Sequence, residues 1–322
     1  MNLKKILPFI GLSILFLIIY RIGINKIILS LTQPKIPYLI LALVLSFLSI
    51  FALSFKWSLI LKKQGINLNY LYLTKLYFIG LFYGTITPAR AGSLIRAYYL
   101  KNKIKKPFGE CASSIVLERV FDLSVIFILA IAGCLLLINY LTTKTLLYII
   151  IAFLIFIGLF VFFINKKRTK FIFKFIYTFL TPKKFKTLIK DSYDSFYTNI
   201  PKFNSLIFPF LFTFINWILV YMVSYIVAKS LSINIPIYYF IPIYAFSTII
   251  AIIPITIAGL GTRELTLISL FSIFNILPEK VIALSLLSLI ISLFPITLGF
   301  IFSLRIKGKK NEIFINNSSS TI

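Results

Sequence analysis

Thr87-Pro88-Ala89-Arg90-Ala91-Gly92-Ser93-Leu94-Ile95-Arg96, and later Ile253-Pro254-Ile255-Thr256-Ile257-Ala258-Gly259-Leu260-Gly261-Thr262-Arg263-Glu264, decide how this chain is built. Each is a proline–glycine break followed by arginine inside apolar sequence. Proline removes a helical N–H and its ring clashes with the preceding turn, and glycine frees the backbone, so both stretches interrupt helices. Paired breaks of this kind, in corresponding parts of two halves, are the best sequence pointer to a membrane transport site. The breaks are Pro88 with Gly92, and Pro254 with Gly259 and Gly261.

Outward from the breaks the chain is strongly apolar. Hydrophobic residues make up 60% of it and charged residues 13%, and the mean hydropathy is +1.00. About 20 uncharged residues cross a ~30 Å hydrocarbon core as a helix. A helix satisfies its own backbone hydrogen bonds there. The sequence therefore predicts an all-α polytopic membrane protein. Uncharged runs give six full spans, at 6–20, 36–55, 123–143, 145–165, 203–228 and 281–304. The first, behind Lys4 and Lys5, reads as a retained anchor helix.

Lys/Arg bias orients the spans. Segment 166–202 carries ten Lys/Arg, 96–106 five and 305–310 four, whereas 139–144 and 229–235 carry one each. The first group should be cytoplasmic, together with both termini, in a cell membrane. Lys56, Lys62 and Lys63 then mark the cytoplasmic end of the second span. The stretch 64–106 must enter and leave by that face, and 236–278 by the other. The apolar arms Leu76–Ala89 and Leu265–Pro278 are 14 residues each, roughly 21 Å as helix and too short to cross. Two re-entrant helical hairpins follow, in an inverted-topology repeat of halves 36–143 and 203–304. The alternative is eight ordinary spans with proline kinks. Residues 1–305 form one integral membrane domain. It includes the cytoplasmic segment 166–202, in which 183–197 has the periodicity of an amphipathic helix. Residues 306–322 read as a basic, disordered tail.

The net charge of +26 sits in short loops rather than a basic domain, which speaks against a nucleic-acid partner. The chain has no histidine, and Cys111 and Cys134 form no spaced framework, so no metal or other cofactor is expected. There is no Walker A or nucleophile motif, so no enzyme activity is expected.

Charge inside a membrane is costly and marks function. Of only eight acids, Glu118 and Asp122 are four apart and share a helix face, with Arg119 pointing elsewhere. Glu264 follows Arg263. A guanidinium presents a planar fork that fits phosphate. Arg90, Arg96 and Arg263 are thus the candidate substrate-binding cations, and Glu118, Arg119, Asp122 and Glu264 the charge-balancing set. The plainer alternatives are arginines snorkelling to the interface, and a self-contained Arg263–Glu264 pair.

The run Pro88-Ala89-Arg90-Ala91-Gly92, Arg96-Ala97-Tyr98-Tyr99-Leu100, Ala112-Ser113-Ser114-Ile115-Val116-Leu117-Glu118-Arg119-Val120-Phe121-Asp122-Leu123, and Pro254 through Gly259-Leu260-Gly261-Thr262-Arg263-Glu264 resembles the flippase-like family that shares the transmembrane region of lysylphosphatidylglycerol synthases. The resemblance covers most of 1–305. Family members often carry an acidic residue where Ser93 stands and a glycine where Ala258 stands. The chain lacks the soluble aminoacyl-transfer domain, so synthase activity is not implied. The resemblance implies movement of phospholipids or polyprenyl-phosphate sugar carriers between leaflets. Expected partners are membrane lipids and an anionic lipid or lipid-linked sugar, and a homo-oligomer is compatible with the sequence. Two other readings stand beside it. One is an enzyme acting on a lipid-linked substrate with Glu118 or Asp122 as base. The other is a non-transporting scaffold or regulatory subunit.

Overall fold

The computed structural model describes residues 3–140, 200–252 and 259–318, with isolated positions between 147 and 196. The expected span at 145–165, the amphipathic segment 183–197 and Pro254 lie largely or wholly outside the described residues.

Every element among the described residues is helical. In chain order they are α1 (Leu3–Ile22), α2 (Ile24–Thr32), α3 (Ile36–Lys63), α4 (Tyr70–Ile86), α5 (Ile95–Ile104), α6 (Phe108–Leu136), α7 (Ile207–Ser230), α8 (Ile237–Ile252), α9 (Thr262–Phe271) and α10 (Pro278–Ser318). Four stretches are long and apolar enough to cross a membrane unbroken: Ile36–Lys63, Phe108–Leu136, Asn204–Ser230 and Pro278–Arg305. A fifth crossing exists if α1 and α2 count as one span, although they meet at 83° where Gly23 takes φ 91°. The chain is therefore a multi-pass helical membrane protein. Its long helices overrun the uncharged stretches. α3 continues past residue 55 to Lys63, and α6 begins at Phe108 instead of 123. α10 runs on to Ser318, through residues expected to be a disordered tail.

The broken stretches fold on themselves. α4 and α8 have 17 and 16 residues, and α5 and α9 ten each. At ~1.5 Å per residue none of them reaches ~30 Å. α5 packs back on α4, and α9 on α8. Local chemistry fixes the ends. The Asn69 side chain accepts a hydrogen bond from the Leu71 N–H at 2.8 Å, capping α4. A 3₁₀ turn, Pro88–Leu94, joins α4 to α5. In it the Thr87 hydroxyl accepts from the Gly92 N–H at 2.6 Å and donates to the Tyr83 carbonyl at 2.9 Å. Gly92 is required there, because a Cβ would collide with that Tyr83 carbonyl.

A constant offset of 167 residues relates the first broken stretch, 65–96, to the second, 232–263. It pairs Ile66 with Ile233, Asn67 with Asn234, Tyr72 with Tyr239, Tyr77 with Tyr244, Gly92 with Gly259 and Arg96 with Arg263, without a gap. The backbone follows the same register. Gly65 and Ser232, also one offset apart, take φ 71° and 56°. The next N–H closes the same helix-end bond in each half, Ile66 to the Leu61 carbonyl at 2.9 Å and Ile233 to the Ala228 carbonyl at 3.0 Å, as left-handed helix caps do.

Packing between the halves is reciprocal. α3 lies against α7, α4 against α10 and α8 against α6. Both mixed crossings turn on a glycine. A Cβ on Gly133 of α6 would run into Pro242 of α8, and one on Gly299 of α10 into the Phe78 carbonyl of α4. Small residues at helix crossings let backbones approach closely, as membrane interiors favour.

Candidate functional site

The first charge cluster is assembled by helix periodicity on α6. Glu118 and Asp122, one turn apart, face inward and are buried. Lys56 of α3 reaches both, at 2.5 Å from Asp122 and 3.6 Å from Glu118. Arg96 of α5 binds the other oxygen of Glu118 at 2.8 Å. The Tyr77 hydroxyl of α4 donates to Glu118 at 2.8 Å, and the Trp217 indole N–H of α7 donates to Asp122 at 3.0 Å. Five helices, drawn from both halves, thus converge on two carboxylates.

Arg96 is 1% exposed and lies between aromatic faces, 4.6 Å from the ring centres of both Trp57 and Tyr77. Such cation–π contacts help hold a desolvated guanidinium. The Trp57 indole N–H in turn donates to Ser114 at 3.1 Å. Gly80 leaves room for the arginine stem, since a Cβ there would stand 2.7 Å from Arg96 Cδ. Even so, Arg96 Nη1 and Arg119 Nε are buried without a hydrogen-bond partner. Arg119 does not point away as the sequence implied. Its Nη1 lies 3.8 Å from Asp122, with the side chain 30% exposed, because residues three apart are also neighbours on a helix.

Arg90 stands apart. It is exposed and takes φ 56°, a left-handed backbone uncommon outside glycine. No described residue forms an ion pair with it, and its charge lies within electrostatic reach of Arg119, Asp122, Tyr77 and Tyr221.

The second cluster is smaller. Arg263 Nη2 donates to Glu264 at 2.9 Å and to the Ser285 hydroxyl of α10 at 2.6 Å, and Ser285 donates to Glu264 at 2.5 Å. Glu264 also accepts the Gly261 N–H at 2.6 Å, so its carboxylate caps the first turn of α9 and already occupies the positive end of that helix. The start of α9 is thus filled from within. Gly259 and Gly261 supply the break with φ 75° and 85°.

The structure thus brings Arg96, Glu118, Arg119 and Asp122 together and puts Arg263 with Glu264 in a separate cluster. Among the described residues no ion pair joins the two. Lys56 corrects the sequence reading. Read there as a cytoplasmic marker at the end of a span, it is fully buried in α3, because two carboxylates neutralise it. Trp57, Trp217 and Ser285 were missed for want of any local signal. The 167-residue self-similarity points directly to Tyr77, Tyr244 and both paired arginines.

The family described as the lysylphosphatidylglycerol synthase TM region matches residues 6–299, and the chain belongs to it. A UPF0104 membrane protein of Methanocaldococcus jannaschii is 29% identical over 94% of this chain and 95% of its own length. A second UPF0104 membrane protein of that organism is 27% identical over 68% of this chain and 91% of its own. A third, from Pyrococcus horikoshii, is 22% identical over 37% of this chain and 36% of its own.

Proposed function

We propose that this member of the lysylphosphatidylglycerol synthase transmembrane-region family moves an anionic, phosphate-bearing lipid or polyprenyl-phosphate-linked headgroup between leaflets of the cell membrane. One observation carries the reading: around the first hairpin, basic groups outnumber acids. Lys56, Arg96 and Arg119 share the two carboxylates Glu118 and Asp122, Arg90 adds a fourth cation nearby, and guanidinium donors remain open on Arg96 and Arg119. Buried donors without partners are costly, and a phosphate would satisfy them with charge-assisted bonds.

In this reading Arg90 meets the phosphate first, being exposed and without an ion pair among the described residues, and Arg119 meets it next. The acids balance Lys56 and Arg96 while the site is empty. They are held in ion pairs and serve as counter-charges, so no covalent step is involved. The reciprocal packing and the 167-residue offset support an inverted repeat, which alternating-access carriers use to open to either side. Both termini are assigned to the cytoplasm from the Lys/Arg bias.

The test is reconstitution into vesicles with a fluorescent phosphatidylglycerol. Arg90→Ala should slow translocation about tenfold or more, the value of one lost charge-assisted hydrogen bond, with the thermal unfolding temperature unchanged. Arg96→Ala should instead deplete the folded protein. Wild-type rates in Arg90→Ala, or no translocation of this lipid or a polyprenyl phosphate by the wild type, would overturn the reading.

A further inference from the structure

Between the two clusters runs a buried aromatic column. The Trp217 indole, bonded to Asp122 of the first cluster, lies with its ring centre 5.4 Å from that of Tyr221. Tyr221 lies 6.3 Å from Tyr244, and Tyr244 feels the charges of Arg263 and Glu264 in the second cluster. The three residues are 8%, 2% and 6% exposed.

The column is apolar in its walls and polar in a way the fold does not use. The Tyr221 hydroxyl lies near Thr248, and the Tyr244 hydroxyl near Ser224 and Ser288, but neither hydroxyl meets hydrogen-bond geometry with them. Ser288 Oγ is likewise unpartnered, as are both amide atoms of Asn216, beside Trp217 in the chain and wholly buried. Native interiors satisfy nearly all buried polar atoms, so a run of open ones calls for a partner such as water, an ion or a ligand group.

Comparison of the halves sharpens this. Tyr244 is the offset counterpart of Tyr77, and Arg263 that of Arg96. Tyr77 gives its hydroxyl to Glu118. α6 and α10 start 170 residues apart, three more than the hairpin offset, so Glu118, ten residues after the first of α6, corresponds to Ser288, ten after the first of α10. The second half therefore keeps the tyrosine and the arginine but has a neutral serine where the first has a carboxylate. An anion next to Tyr77 would meet Glu118, which bonds that tyrosine directly, whereas one next to Tyr244 meets hydroxyls and Arg263, with Glu264 held in the Gly261 cap and the Arg263 pair.

We infer that the headgroup phosphate passes from the first cluster to the second along the Trp217–Tyr221–Tyr244 column, with the Tyr221 and Tyr244 hydroxyls as intermediate hydrogen-bonding stations and Arg263 as the receiving cation. This rests on the translocation reading. It makes the two clusters half-sites used in sequence.

Tyr221→Phe and Tyr244→Phe, each in the full chain reconstituted with fluorescent phosphatidylglycerol, test it. Each removes one oxygen and keeps the ring. Translocation should fall about tenfold in each variant, the value of one lost bond to a charged group. The unfolding temperature should hold or rise, because a buried hydroxyl without a partner opposes folding. Wild-type rates in both variants, with an active wild type, would overturn the route and leave the function standing. A lowered unfolding temperature accompanying the lost transport would also overturn it, by showing that the hydroxyls brace the fold. An inactive wild type would remove the translocation reading itself.

Discussion

At the scale of the residue, the burial of Lys56 and Arg96 needs the most explanation. Each is a cation at 0–1% exposure inside a membrane protein, where an uncompensated charge costs at least about 2.5 kcal/mol. Two carboxylates supply the compensation, and these are braced in turn by a tyrosine hydroxyl and an indole N–H that donate to them. The arrangement also needs space, and Gly80 provides it. Gly80→Ala should lower stability by about 1–3 kcal/mol, the usual cost of overpacking, read as a drop in unfolding temperature. Gly158, whose Cβ would meet nothing within 4 Å, is the control, and Gly158→Ala should leave that temperature unchanged. Equal temperatures for both variants would show that Gly80 does not hold the arginine stem. Glu118 and Asp122 were readable in the sequence because their spacing is local. Lys56 was not, because its partners lie 62 and 66 positions away and hydropathy along the chain takes a charge beside an apolar run for the edge of the membrane.

At the scale of the element, the two broken stretches were legible from arm length alone, and their fold-back agrees with the packing of α5 on α4 and α9 on α8. Their exact register was not. Measured from Pro88 and Pro254 the two motifs are out of step by one residue, since Pro88 plus the offset falls on Ile255. Proline only has to open a turn, and neighbouring positions serve equally. The tyrosines, glycines and arginines hold the register because each makes a contact that only its position allows. The helix crossings carry a further expectation. A side chain at Gly299 would meet the Phe78 backbone carbonyl, which cannot rotate out of the way. Gly299→Leu should therefore unseat α10 from α4 and abolish a monodisperse peak in size-exclusion chromatography. A normal elution profile would show that the crossing tolerates separation.

At the scale of the whole molecule, the reciprocal packing makes a statement about sidedness. The turn before α6 and the turn before α10 each end in a left-handed residue, Lys105 with φ 55° and Asn275 with φ 55°, and both are exposed. In an inverted arrangement they face opposite sides. Single cysteines at Lys105→Cys and Asn275→Cys should react with an impermeant maleimide from opposite faces of a sealed vesicle. The native Cys111 and Cys134 are buried and give a quiet background. Labelling of both positions from one face would end the inverted assignment. Fold class, and the carboxylates and arginine of the first charge cluster, could be read from the sequence. The division into two clusters could not, because it depends on where Glu264 spends its carboxylate, and a short-range cap competes there with a long-range partner.

The interlocked position of Lys56 has a consequence for how the protein is made. A ribosome that has just finished α3 has delivered a lone ammonium to the insertion machinery, about sixty residues before either counter-charge is synthesised, and the Trp217 donor comes later still. α3 is therefore a poor candidate for early release into lipid as an isolated segment. Lys56 gains its counter-charges only once α6 lies beside α3.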